Sequence, residues 1–67
     1  MKSFLGARLR RLREERGLTQ LATAKALGVS PSYYNQLENN QRPLTPSLER
    51  KLSEVLGVGA QFFAEDD

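Results

Sequence analysis

Apolar residues recur along this chain at helical spacing, and no stretch alternates as a strand would. Leu5, Leu9 and Leu12 fall four and three residues apart, forming one stripe on a first helix predicted to end near Arg16, with Gly17 as its stop. Thr19 caps a second helix that starts at Thr19 or Gln20. Its body, QLATAKAL, is Ala, Leu, Gln and Lys plus one Thr, mostly strong helix formers. Gly28 follows Leu27 where a chain leaving a helix commonly takes a positive φ. After Val29, Ser30 is a second N-cap and Pro31 occupies the first helical position, where its missing N–H costs nothing.

The same cap-plus-proline signal returns at Thr45-Pro46 after the turn-rich NNQRPL. It opens a fourth helix over about Pro46 to Leu56, with Leu48, Leu52, Val55 and Leu56 on its apolar face and Gly57 at its end. GVGAQFFAEDD offers a short fifth helix carrying Phe62 and Phe63. Leu18, Leu27, Val29, Tyr34 and Leu37 should face the first stripe from the two central helices. Of the Tyr33-Tyr34 pair, Tyr34 lies one turn before Leu37 and is the one expected inside. The fold class is therefore all-α, a compact five-helix bundle, and its centre over about 19–39 has the form of a helix-turn-helix. So short a linker makes the two central helices cross steeply, with Ala24 and Ala26 leaving room for the backbones.

Composition narrows the chemistry. A chain of 67 residues is read as one domain, residues 1–67, with one modest core. It has no Cys and no His, so disulfides are excluded, and thiol or imidazole catalysis and most metal sites lose their groups. No enzyme, cofactor or metal centre is expected. The apolar runs are too short to span a bilayer, and MKSFLGARLRR lacks the apolar core of a secretory signal, which points to a cytoplasmic protein without a membrane partner.

The net charge of +2 hides a polarity. Residues 1–16 carry Lys2 and five arginines against Glu14 and Glu15, a local charge of +4, whereas residues 45–67 carry Arg50 and Lys51 against five carboxylates, a local charge of −3. Such asymmetry fits a basic face toward phosphates, but taken by itself it favours the plainer reading of a solvated helix surface.

LRRLREERGLTQ, LGVSPSYYNQLENNQRPL and LERKLSEVLGV together resemble the Cro and phage-repressor-type (Xre-like) DNA-binding domain over most of the chain. GARLRRLREERG, SPSYYNQLENNQRPLT and FFAEDD resemble more particularly the N-terminal domain of bacterial regulators of short-chain fatty acid metabolism, in which a larger C-terminal region follows. The resemblance implies a transcriptional regulator that binds a double-stranded DNA operator with its third helix in the major groove. Pro31, Ser32, Tyr33 and Gln36 become the base-facing set. Gln36 can pair with adenine N6 and N7, Ser32 can donate or accept, and the Pro31 and Tyr33 rings suit a thymine methyl. For Tyr33, inward packing is the competing role.

Gln20 matches the family position that holds a DNA phosphate. Asn35, Asn39 and Arg42 are assigned to the DNA backbone, with a base contact open to Asn35 and a narrow minor groove open to Arg42. Arg13 and Glu38 match positions that form a partly buried ion pair between the first and third helices; a phosphate contact is the alternative for Arg13. Arg10 and Arg11 are further candidates for phosphate contacts, but their helix lies across the domain from the recognition-helix tip and they stay outside the set. Thr23, where the family has a large aliphatic residue, and Asn40, where Gly is frequent, depart from the pattern. The Thr23 hydroxyl can bond the carbonyl four residues earlier, and Asn tolerates left-handed φ.

One domain of this size makes few base contacts, so a homodimer on two half-sites is expected, with Phe62 and Phe63 as one possible contact. An effector would bind a region absent from this chain. The competing reading is a protein-interaction or antitoxin-like module of the same fold. Polar Ser32, Asn35 and Gln36 suit base edges, whereas a protein groove more often receives Leu or Phe.

Overall fold

The computed structural model describes residues 5–59 and 61–64, so Lys2 and the acidic Glu65, Asp66 and Asp67 lie outside the described residues, as do both ends of the 1–67 domain. Five helices follow in order: α1 (Gly6–Glu15), α2 (Gln20–Leu27), α3 (Pro31–Glu38), α4 (Pro46–Leu56) and α5 (Gln61–Ala64), with no strand among the described residues.

Three of these helices begin as the sequence signals require. Thr19 Oγ1 accepts from the Ala22 N–H at 3.0 Å, Ser30 Oγ from the Tyr33 N–H at 3.1 Å, and Thr45 Oγ1 from the Leu48 N–H at 3.2 Å. Gly28 ends α2 at φ 78°, a conformation that costs an L side chain, and Val29 turns straight back with its N–H on the Ala24 carbonyl at 3.0 Å. The end of α4 is tied to α1, because Arg16 Nε donates to the Leu56 carbonyl at 2.9 Å.

The core is a single cluster. Leu5, Leu9 and Leu12 of the first stripe meet Ala24, Leu27, Tyr34, Leu37, Leu48, Leu52 and Leu56, and Leu44 and Phe63 close the edges. Leu18, Val29 and Val55 are only partly buried against it, at the rim. Tyr34 is fully buried while Tyr33 packs partly against the core. One expectation is corrected. Ala24 is fully buried at the α2 crossing, but Ala26 is exposed. Two residues along a helix turn the side chain by about 200°, so the pair cannot serve one crossing.

Thr23 is also fully buried, and its Oγ1 donates to the Thr19 carbonyl at 2.9 Å. The hydroxyl is satisfied within its own helix, so a polar residue stands in the core without loss of a hydrogen bond. At the C-terminal end, Phe63 is buried and Phe62 half-buried, with ring centroids 5.0 Å apart in an edge-to-face arrangement. The Arg8 guanidinium lies 4.9 Å from the Phe62 ring centre. Both phenylalanines thus take part in closing the domain.

Candidate nucleic-acid interface

The third helix is fixed from behind and presented in front. Tyr34 and Leu37 anchor it in the core, and Glu38, with a fully buried side chain, anchors its last turn. Arg13 reaches that carboxylate with both prongs of its fork, Nε to Glu38 Oε2 at 2.6 Å and Nη2 to Oε1 at 3.2 Å. Its remaining Nη1 donates to the Leu18 carbonyl at 2.8 Å. The ion pair therefore joins α1, the loop before α2 and the end of α3 at one point. The sequence expectation for Arg13 and Glu38 and the observed geometry coincide, and the other role weighed for Arg13, a phosphate contact, does not suit a guanidinium so buried and so fully engaged.

Electrostatics keep the pair charged. Burial pushes the Glu38 carboxyl up, but the Arg13 hydrogen bonds, the adjacent Tyr34 hydroxyl and the Gln20 amide outweigh it and hold the carboxyl below its usual range. The same hydrogen bonds raise the Arg13 pKa against the effect of its own burial. The Tyr34 hydroxyl completes no hydrogen bond of good geometry within the protein, and burial first, then the adjacent Glu38 carboxylate as acceptor and as charge, raise its pKa.

A glycine makes this junction possible. A Cβ at Gly6 would overlap the Glu38 carbonyl oxygen and lie 2.8 Å from Asn40 Oδ1, so the start of α1 touches the end of α3 only because position 6 has no side chain. Asn40 adopts φ 61°, and its Oδ1 accepts from the Gly6 N–H at 2.9 Å. Asn40 thus takes the left-handed turn expected of a Gly, and also caps α1, which has no side-chain cap of its own. Nothing in the local sequence pattern announces the need for Gly6, because the atoms it must avoid lie over thirty residues away.

The outward face of α3 starts with Pro31 and Ser32, both exposed, and continues through the half-buried Tyr33, Asn35 and Gln36. Ser32 and Gln36 are one turn apart and share a face. Arg42, exposed in the loop beyond, donates from Nε to Gln36 Oε1 at 3.0 Å, so the loop and the helix meet at the side chain with the strongest base-reading chemistry.

The other expected DNA-facing amides are bonded to one another. Asn39 Nδ2 donates to Asn35 Oδ1 at 2.9 Å, Asn35 Nδ2 to Gln20 Oε1 at 3.1 Å, and Gln20 Nε2 to Glu38 Oε1 at 2.9 Å. The structure thus groups Gln20, Asn35 and Asn39 along the α2–α3 edge, while Arg42 joins Gln36. Arg10, left outside the expected set, contacts Glu38 and Asn39. Its signal was its place three residues before Arg13, which puts both arginines on neighbouring faces of α1.

Comparison with known proteins agrees with this architecture. Residues 9–63 match the helix-turn-helix family profile. The HTH-type transcriptional regulator PrpR of Mycobacterium tuberculosis is 58% identical over 65 residues, covering 97% of this chain and 13% of that protein. The propionyl-CoA carboxylase regulator of Cereibacter sphaeroides is 46% identical over 57 residues, covering 85% of this chain and 12% of that protein. This chain thus spans about an eighth of the length of these relatives. The crystal structure of the clp gene regulator ClgR from C. glutamicum superimposes with a TM-score of 0.83 at 30% identity, over 94% of this chain and 82% of that one. With a buried anchor behind the polar outer face of α3, and with these relatives, the chain belongs to the Xre-like helix-turn-helix family of DNA-binding transcriptional regulators.

Proposed function

We propose that residues 1–67 are the DNA-reading domain of a larger bacterial-type regulator and act by occupying an operator in the cytoplasm. The observation that carries this reading is that the helix anchored by the Arg13–Glu38 pair also presents a polar outward edge, the exposed Ser32 and the half-buried Gln36. A base-reading helix needs both, because hydrogen bonds to base edges discriminate only when their direction is set in advance. Pro31, Ser32, Tyr33 and Gln36 face the bases. Gln36 keeps its amide N–H groups and a second lone pair on Oε1 beyond the Arg42 bond, which is what an adenine edge requires. Gln20, Asn35, Asn39 and Arg42 meet the sugar-phosphate backbone.

The domain works as a homodimer on two half-sites, and the effector binds outside these residues. One relative, named as a propionyl-CoA carboxylase regulator, supports a role in short-chain acyl metabolism. A protein-binding use of α3 fits less well. Among the described residues the exposed large apolar side chain is Leu21, on α2, and α3 offers no apolar anchor.

The test is selection from a random double-stranded DNA library, then titration of the enriched duplex with wild type and Gln36→Ala. A two-fold related motif is expected, with Gln36→Ala relaxing one base position by about 1–3 kcal/mol. No enriched motif, together with an unaltered mutant, would sink the reading.

A further inference from the structure

Five hydrogen bonds close a ring across the edge where α1, α2 and α3 meet. From Asn39 the chain of donors runs through Asn35 and Gln20 to Glu38 Oε1, and Arg10 completes the circuit at both ends. Its Nη2 lies 3.5 Å from Asn39 Oδ1 and its Nε 3.4 Å from Glu38 Oε1. The Arg10 contacts are long and the side chain is half exposed, as suits a cation at a solvent boundary.

The direction of this ring is dictated by its ends. A carboxylate only accepts, so Gln20 must turn its N–H to Glu38 and its oxygen to Asn35; the same logic passes to Asn35 and then to Asn39. Reversing any one amide would set oxygen against oxygen or N–H against N–H. The last acceptor, Asn39 Oδ1, would then face solvent at the exposed end, where an incoming anion would be repelled. Arg10 occupies it. Each of the three amides has spent one N–H on the ring and retains a second. The edge therefore keeps three unspent amide N–H groups beside the Arg10 cation, a donor set that suits a phosphodiester oxygen.

We infer that Arg10 is a positioning residue for the DNA backbone: by closing the Asn39–Asn35–Gln20–Glu38 ring, it holds three amides with their free N–H groups toward a phosphate. The inference rests on the reading of Gln20, Asn35 and Asn39 as backbone contacts. Arg11 supplies the control. It is exposed on the same helix, carries the same charge and takes part in no bond of the ring.

The experiment titrates a short mixed-sequence double-stranded DNA with the 67-residue chain and its variants at two salt concentrations, alongside thermal melting of each. Arg10→Ala is expected to weaken binding about tenfold on every sequence, the scale of a lost charge-assisted contact, and Arg11→Ala only about twofold. Combining Arg10→Ala with Asn39→Ala should cost less than the product of the single effects, because both break the same ring. Arg10→Lys, which keeps the charge but not the planar fork, should recover only part of the loss and guards against a folding defect in the alanine variant. Equal losses for Arg10→Ala and Arg11→Ala, or independent effects of Arg10 and Asn39, would overturn the role of Arg10. Wild-type binding by both Gln20→Ala and Asn39→Ala would instead remove the backbone-contact reading itself, and the inference with it.

Discussion

At Gly6 the absence of a side chain decides how two helices meet. Gly6→Ala introduces a methyl into the Glu38 carbonyl and disturbs the Asn40 cap, so the domain should lose about 1–3 kcal/mol in urea or thermal unfolding, although Ala is otherwise the better helix former. Stability equal to wild type would mean that the α1–α3 junction yields without cost. Glu38 makes the corresponding statement in charge. Its carboxyl is held below its unfolded value of about 4.3, so its stabilisation is complete above that pH and disappears as pH falls through the lower folded value. Melting temperature should therefore drop on acidification below about pH 4. Glu38→Gln should melt lower than wild type at neutral pH, since Arg13 loses its partner, and should lose less on going to acid. A Glu38→Gln variant as acid-sensitive as wild type would assign the loss to other carboxylates.

At the scale of the element, each central helix is short, and short helices depend on their ends. In α3 the Ser30 hydroxyl holds the Tyr33 N–H, directly beside the exposed Pro31 and Ser32. Ser30→Ala should cost about 1 kcal/mol in thermal unfolding, while Ser30→Gly should cost only a few tenths. Equal losses in the two would point away from the cap. Boundaries of this kind were legible in the residues: Thr19, Ser30-Pro31 and Thr45-Pro46 start helices where expected, and Gly28 and Gly57 end them at positive φ. The inner tyrosine was also legible, from its spacing to Leu37. Ala26 was misplaced because a count of small residues ignores which way each one faces.

For the whole molecule, size and charge set what one copy can do. The described domain measures 27 × 23 × 20 Å, smaller than the separation of about 34 Å between major grooves on one face of DNA. Two copies of this size are sterically compatible with half-sites on successive turns. Inserting about five base pairs between the half-sites turns one to the opposite face of the helix, and the gain in affinity from the second half-site should vanish. If binding to the two half-sites is indifferent to that insertion, the domains act singly.

The local pattern of caps, glycines and leucine spacing was enough to determine five helices, their order and the core-facing stripe, because each depends on residues within one or two turns. The identity of the ion pair came with the family resemblance and not from the pattern itself. Only the tertiary structure decided the rest. Gly6 is needed because of the Glu38 carbonyl, Asn40 caps a helix that begins 34 residues earlier, and Arg10, Gln20, Asn35 and Asn39 join one ring from three different helices and a turn. Helix propensity is a property of neighbours along the chain, whereas steric exclusion and hydrogen-bond direction depend on atoms that folding alone brings together.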